Sequence, residues 1–184
     1  MVTPPASFPR AKTLFAAVAL VCAIGPALRA QTRADSVTER LSGTYWGPRI
    51  GFSFLSAPVQ DKLKTKNITV APFILQFGWT NELRFVISDS APMLASQLVF
   101  LVGGAEQGVL LPSINWLLGI RGTGGTEFGL GPSVSLAGAN IVVAAGVTQR
   151  SGGVNIPWNV SVVLGKPGVR VSFLTGFNIR RSKG

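Results

Sequence analysis

The chain has 184 residues, 47% of them apolar and only 13% charged, against about 25% charged in an ordinary soluble domain. It contains no His and one Cys, which excludes Ser-His-Asp catalysis, an imidazole proton shuttle, a His-ligated metal, an internal disulfide framework and a thiolate zinc cage. The mean hydropathy of +0.40 is high for a protein that lives only in water, and the formal net charge is +10.

Residues 1–30 have the three parts of a secretory signal. Arg10 and Lys12 make a positive start, Thr13 to Leu28 is an apolar run interrupted only by Gly25 and Pro26, and small residues offer a cut after Ala30 or Ala27. The apolar run is shorter than the ~20 residues a spanning helix needs. Cys22 lies inside it after Val21, which is too large for a lipoprotein signal. Cleavage after Ala30 leaves a cysteine-free chain with 14 basic and 7 acidic residues. Export turns the basic balance away from nucleic acid and toward a negatively charged lipid or polysaccharide surface.

Residues 31–45 read as an N-terminal segment. From residue 46 the chain alternates with period two, the spacing of strands whose faces see different surroundings. In the first strand Ile50, Phe52 and Phe54 oppose Arg49, Gly51 and Ser53. Residues 73–86 place Phe73, Leu75, Phe77, Trp79, Leu83 and Phe85 opposite Gln76, Gly78, Thr80, Glu82 and Arg84. A turn at Thr80-Asn81 would split this run and give nine strands, but the unbroken phase favours one long strand. Leu98, Phe100 and Val102 form the next apolar set. Further runs follow over residues 113–121, 127–134, 140–148, 155–162 and 169–178, separated by Gly-rich turns. Pro157 within the seventh strand removes a ladder donor and predicts an irregularity there.

The count is eight strands in one all-β antiparallel meander over residues 46–179, followed by a basic tail, 180–184. All nine Phe after residue 30 lie on the apolar face, as do Trp46, Trp79, Trp116 and Trp158, which form a candidate aromatic girdle. The charges within strands, Arg49, Glu82, Arg84, Arg121, Glu127 and Arg170, all fall on the other face, among Gly, Ser, Asn, Gln and Thr. Two closed barrels fit. A soluble, lipocalin-like barrel would turn the large apolar residues inward around an apolar ligand. A membrane barrel would turn them to lipid and fill its lumen with the small polar face. Glycine on the polar face, charges of both signs there and Trp on the apolar face favour the membrane.

These residues resemble the small eight-stranded bacterial outer-membrane β-barrels over 46–179. The resemblance implies a bacterial outer-membrane location, with outer-membrane lipid and lipopolysaccharide as partners, and a non-enzymatic structural or surface-interaction role without a cofactor. The chain departs from the class in ending on Arg180-Arg181-Ser182-Lys183-Gly184 and in its short loops, residues 57–70 and 104–112 being the longest.

The candidate chemistry is sparse. Glu82 and Glu127 could be an acid/base pair, but neutralising the lumen arginines is the stronger reading. The Arg121-Gly122-Thr123-Gly124-Gly125-Thr126 turn leads into a strand, not a helix, and reads as a hairpin rather than a phosphate cradle. Lys62, Lys64 and Lys66 read as a solvated loop within reach of lipopolysaccharide phosphates.

Overall fold

A computed structural model describes residues 43–85, 92–122, 124–151 and 154–180. The expected signal peptide, residues 31–42 of the N-terminal segment, the connection 86–91 and residues 181–184 of the basic tail lie outside the described residues. The strands are β1 (Gly43–Leu55), β2 (Phe73–Phe85), β3 (Met93–Gly103), β4 (Leu111–Arg121), β5 (Thr126–Ser135), β6 (Gly138–Ser151), β7 (Val154–Gly165), β8 (Gly168–Gly176) and the short β9 (Ile179–Arg180). β1 starts three residues before Trp46, because Gly43-Thr44-Tyr45 continues the alternation and pairs with Arg84, Leu83 and Glu82. β2 runs unbroken through Thr80-Asn81.

β2 to β8 pair in chain order, all antiparallel, and β1 pairs with both β8 and β2, so the sheet closes on itself. β9 prolongs β8 along β1 in the same register. Partners followed around the ring lead from Thr44 to Leu83, Ser96, Leu118, Leu130, Val143, Val162 and Val171, and back to β1 at Phe54, ten residues from the start. That stagger is what tilts the strands against the barrel axis.

Orientation of the wall follows the alternation. Ile50 is 63% exposed and Leu118 55%, with Phe54, Phe77, Phe85, Phe128 and Phe177 also outward, whereas Arg49, Glu82, Arg84 and Arg121 are buried inside. The lipocalin-like alternative needs the large apolar residues inside. They line the outside instead, so that reading is corrected. On the outer surface the Trp46 and Trp79 rings lie 5.2 Å apart and tilted by 42°, and Phe52 stacks with Phe73 and Phe173 at 5.2 and 5.5 Å.

Interior glycines have a cause beyond lumen volume. A Cβ on Gly78 would lie 1.9 Å from the Phe100 carbonyl oxygen, and one on Gly51 1.9 Å from that of Phe173. The obstacle is the neighbouring strand's backbone, so these positions let the wall curve.

The irregularity at Pro157 is a ladder break rather than a bulge. The β6–β7 register runs straight through Thr148↔Pro157. On the other side, β7–β8 pairing stops at Trp158↔Thr175 and resumes as an Asn155–Asn178 bridge with two backbone bonds of 3.2 and 2.7 Å.

One element was not expected. Residues 57–70 read as a loop, yet α1 (Ala57–Lys64) is a helix, with Pro58 in its first turn and Val59 and Leu63, four apart, buried beneath it. Ser56 fastens it to the barrel: its N–H donates to Val169 O, and its Oγ accepts the Val169 N–H at 2.9 Å. Val59 and Leu63 pack on Leu55, Val70, Ile74 and Leu111 over the barrel end remote from the described chain ends. Between this lid and the opposite end lies an apolar plug of Val99, Leu101, Leu117, Val142, Val163 and Leu174.

Candidate functional site: the closed barrel interior

Antiparallel pairing brings the end of β2, the end of β4 and the start of β5 to the same rim, and the inward phase of each strand there carries a charge. Glu82, fully buried, is the hub. Its Oε1 accepts from Arg84 Nε at 2.6 Å and from Arg121 Nη2 at 2.8 Å, and its Oε2 accepts from Asn178 Nδ2 at 3.1 Å. Arg121 Nη2 also lies 2.9 Å from Glu127 Oε1, across the Arg121↔Glu127 register pair. Thr148 Oγ1 donates to the same Glu127 oxygen. The Arg84 guanidinium carbon sits 3.7 Å from the centre of the Tyr45 ring.

Of the six charges expected to form one lumen network, four meet: Glu82, Arg84, Arg121 and Glu127. Arg49 stands apart. Its Nη1 donates to the backbone carbonyls of Pro48 at 3.0 Å and Phe177 at 3.5 Å. Arg170 is at the lid end, where Nη2 reaches Ser133 Oγ at 3.4 Å. Alternation places a residue on a face but says nothing of its height, so these two were grouped with the rest on phase alone. Tyr45, Thr148 and Asn178 belong to the network as well. Thr148 and Asn178 fall within the alternating runs 140–148 and 169–178, whereas Tyr45 falls in the segment assigned to residues 31–45.

All four Trp side chains face outward, but not at one level. Trp46 and Trp158 lie near the strand ends on the charged rim, whereas Trp79 and Trp116 sit mid-strand, Trp116 donating to Ser96 Oγ at 3.0 Å. The girdle expected from composition is therefore a band running from the charged rim to mid-strand, within which the Trp46 and Trp79 rings meet at 5.2 Å.

This interior leaves little for acid/base chemistry. Both oxygens of Glu82 and one of Glu127 are engaged, and two partly open pockets in the wall and lumen hold about 20 Å³ each, room for about one water. One is lined by Gln97, Leu117, Arg121, Glu127 and Asn159, the other by Leu55, Val59, Leu63, Gln76 and Arg170. Lid and plug close the barrel along its axis.

A closed eight-stranded meander with an apolar outer wall and a packed polar lumen is the architecture of the small outer-membrane β-barrels. No protein-family model matches the chain, and no curated protein matches it. Among solved structures the chain is similar to the crystal structure of Ail, the attachment invasion locus protein of Yersinia pestis, at 10% identity over 76% of this chain and 97% of that chain, with a TM-score of 0.28. The fold assignment rests on this chain's own registers.

Proposed function

We propose that this protein is a non-enzymatic β-barrel of the bacterial outer membrane with a structural or surface-contact role. The observation that carries the reading is the pairing of an outward apolar wall on every long strand with a lumen sealed by lid and plug. Such a wall is costly in water and suited to hydrocarbon, and such a lumen carries no stream of solute. The longest connection, residues 56–72, is at the lid end, whereas those at the other end, 86–92, 122–125 and 152–153, are all shorter, which supports a lid end facing outward. Lys62, Lys64 and Lys66, all exposed there, suit the phosphates of lipopolysaccharide.

Single cysteines at 118 and 160 (outer face) and at 115 and 161 (inner face) test this in lipid vesicles after fluorophore labelling. Brominated lipid should quench the probes at 118 and 160 and leave those at 115 and 161 unchanged. Equal behaviour of the two pairs would refute a membrane-facing wall.

A further inference from the structure

The wall loses its ladder on both sides where β8 passes toward β9. In an antiparallel sheet the N–H and C=O of successive residues turn to alternate sides. Asn178 exchanges both backbone bonds with Asn155 of β7, so Gly176 also faces β7, and Phe177 between them faces β1. The registers set Gly176 opposite Pro157 and Phe177 opposite Pro48, and neither proline has an N–H to give. Pairing with β7 stops at Trp158↔Thr175 and resumes at Asn155–Asn178. Pairing with β1 stops at Arg49↔Gly176 and resumes at Trp46↔Ile179. Both ladders therefore fail at the same two consecutive residues.

Side chains from the lumen stand in for the missing donors. Arg49 Nη1 donates to Pro48 O at 3.0 Å and to Phe177 O at 3.5 Å, the two carbonyls turned into the β1–β8 break. One residue on, Asn178 Nδ2 donates to Glu82 Oε2 at 3.1 Å. Arg49 and Glu82 are buried, whereas Phe177 is 45% exposed on the outer wall. Gly176–Asn178 is thus held from inside by two side chains and sideways by the Asn155 bridge. A bond of 3.5 Å is weak, so local opening costs less here than where both ladders are intact. This also accounts for Arg49 standing apart from the other charges: its guanidinium serves the break.

We propose that Gly176–Asn178 is a latched segment of the wall, with Arg49 as the latch, which opens as a unit between Pro48 and Pro157 while the other ladders stay closed. When it opens, Asn178 leaves Glu82, so the charged rim is uncovered from the side. The inference rests on the two proline-broken registers and is independent of what surrounds the barrel.

Amide exchange followed residue by residue by NMR on the purified chain in detergent micelles tests the latch. The reporters are the Asn155 and Asn178 amides. The controls are Ala95 and Gly119, paired across β3–β4 two residues in from the same rim. After correction for intrinsic exchange, the reporters should exchange about tenfold faster than the controls, or more, in wild type. Arg49→Gln should speed the reporters by a further factor of about ten and leave the controls unchanged. Pro48→Ala returns an N–H opposite Phe177 O and should slow the reporters. Equal protection of reporters and controls in wild type overturns the latch. So does an Arg49→Gln variant that speeds both pairs alike, or neither, since fast but unresponsive reporters are ordinary fraying near a strand end. Should Arg49→Gln not fold, Pro48→Ala decides alone: slowed reporters support the latch, and unchanged ones overturn it.

Discussion

Glu82 on β2 and Arg121 on β4 are joined at 2.8 Å across the lumen face of β3, the strand that separates them in the sheet. The contact ties non-neighbouring strands that no backbone ladder connects. It also uses an arginine that serves Glu127 in the same geometry. Removing the hub carboxylate leaves two buried guanidinium groups short of a partner.

Glu82→Gln should therefore destabilise the barrel by about 3–5 kcal/mol, the range for breaking a buried pair. Glu127→Gln should cost less, because Glu127 is 10% exposed and meets one arginine rather than two. Asp61→Asn is the control: its pair with Lys64 at 3.5 Å is solvent-exposed and worth at most about 1 kcal/mol. Heat-modifiability and denaturant titration in micelles measure all three. Equal midpoints would show that the network contributes nothing.

Much of this was legible in the sequence because each strand meets two different environments, and a period of two records that directly. The charges of β2, β4 and β5 fell on the lumen face by phase alone. Height did not, since it depends on the ten-residue stagger accumulated around the ring, and so Arg170 was grouped with residues at the opposite rim. The helix α1 was hidden for another reason. Its apolar signal is only Val59 and Leu63, set among Gln60, Asp61, Lys62 and Lys64, and eight residues are too few for a helical period to stand out.

Two glycines on the same face separate wall curvature from lumen volume. A Cβ at Gly78 would collide with a backbone carbonyl at 1.9 Å, whereas one at Gly129 would find its nearest neighbour, Leu118 O, at 3.5 Å, an ordinary contact. Gly78→Ala should cost about 1–3 kcal/mol through forced backbone movement. Gly129→Ala should be neutral or stabilise by up to about 1 kcal/mol by restricting the unfolded chain. Denaturant midpoints of the pair check the ordering.

Beside the lid, the short 3-10 turn at Ala105–Gln107 clamps the start of β2. Glu106 Oε1 accepts the Leu75 N–H at 2.9 Å, and Gln107 holds Ala71 N and Phe73 O, both at 2.7 Å. Slight burial pushes the Glu106 carboxyl up, but bonds from Leu75 N–H, its own N–H and the Gln107 side chain outweigh this and hold it below the usual carboxylate range. A depressed folded value means the ionised clamp stabilises above the unfolded carboxylate pKa and is lost as pH falls through the folded one. After correction for intrinsic exchange, amide protection at Leu75 should decline over that acidic window. Glu106→Gln should make it pH-independent there.

The double closure of the lumen gives the last expectation. Leu63 packs with Val59 on Leu55, Ile74 and Leu111, so Leu63→Ala should cost about 2–5 kcal/mol as transfer and cavity terms add. Loosening the lid should nevertheless leave the barrel electrically silent. Val99, Leu101, Leu117, Val142, Val163 and Leu174 form a second apolar layer that water and ions must still cross. Planar-bilayer recording should show no unitary conductance for wild type or Leu63→Ala. Thinning both layers, with Leu63→Ala, Leu117→Ala and Leu174→Ala combined, should admit small ions if the triple variant folds, as its heat-modifiability would report. A steady conductance in wild type would mean that lid and plug do not seal the lumen, and a conductance in Leu63→Ala alone would assign the whole seal to α1.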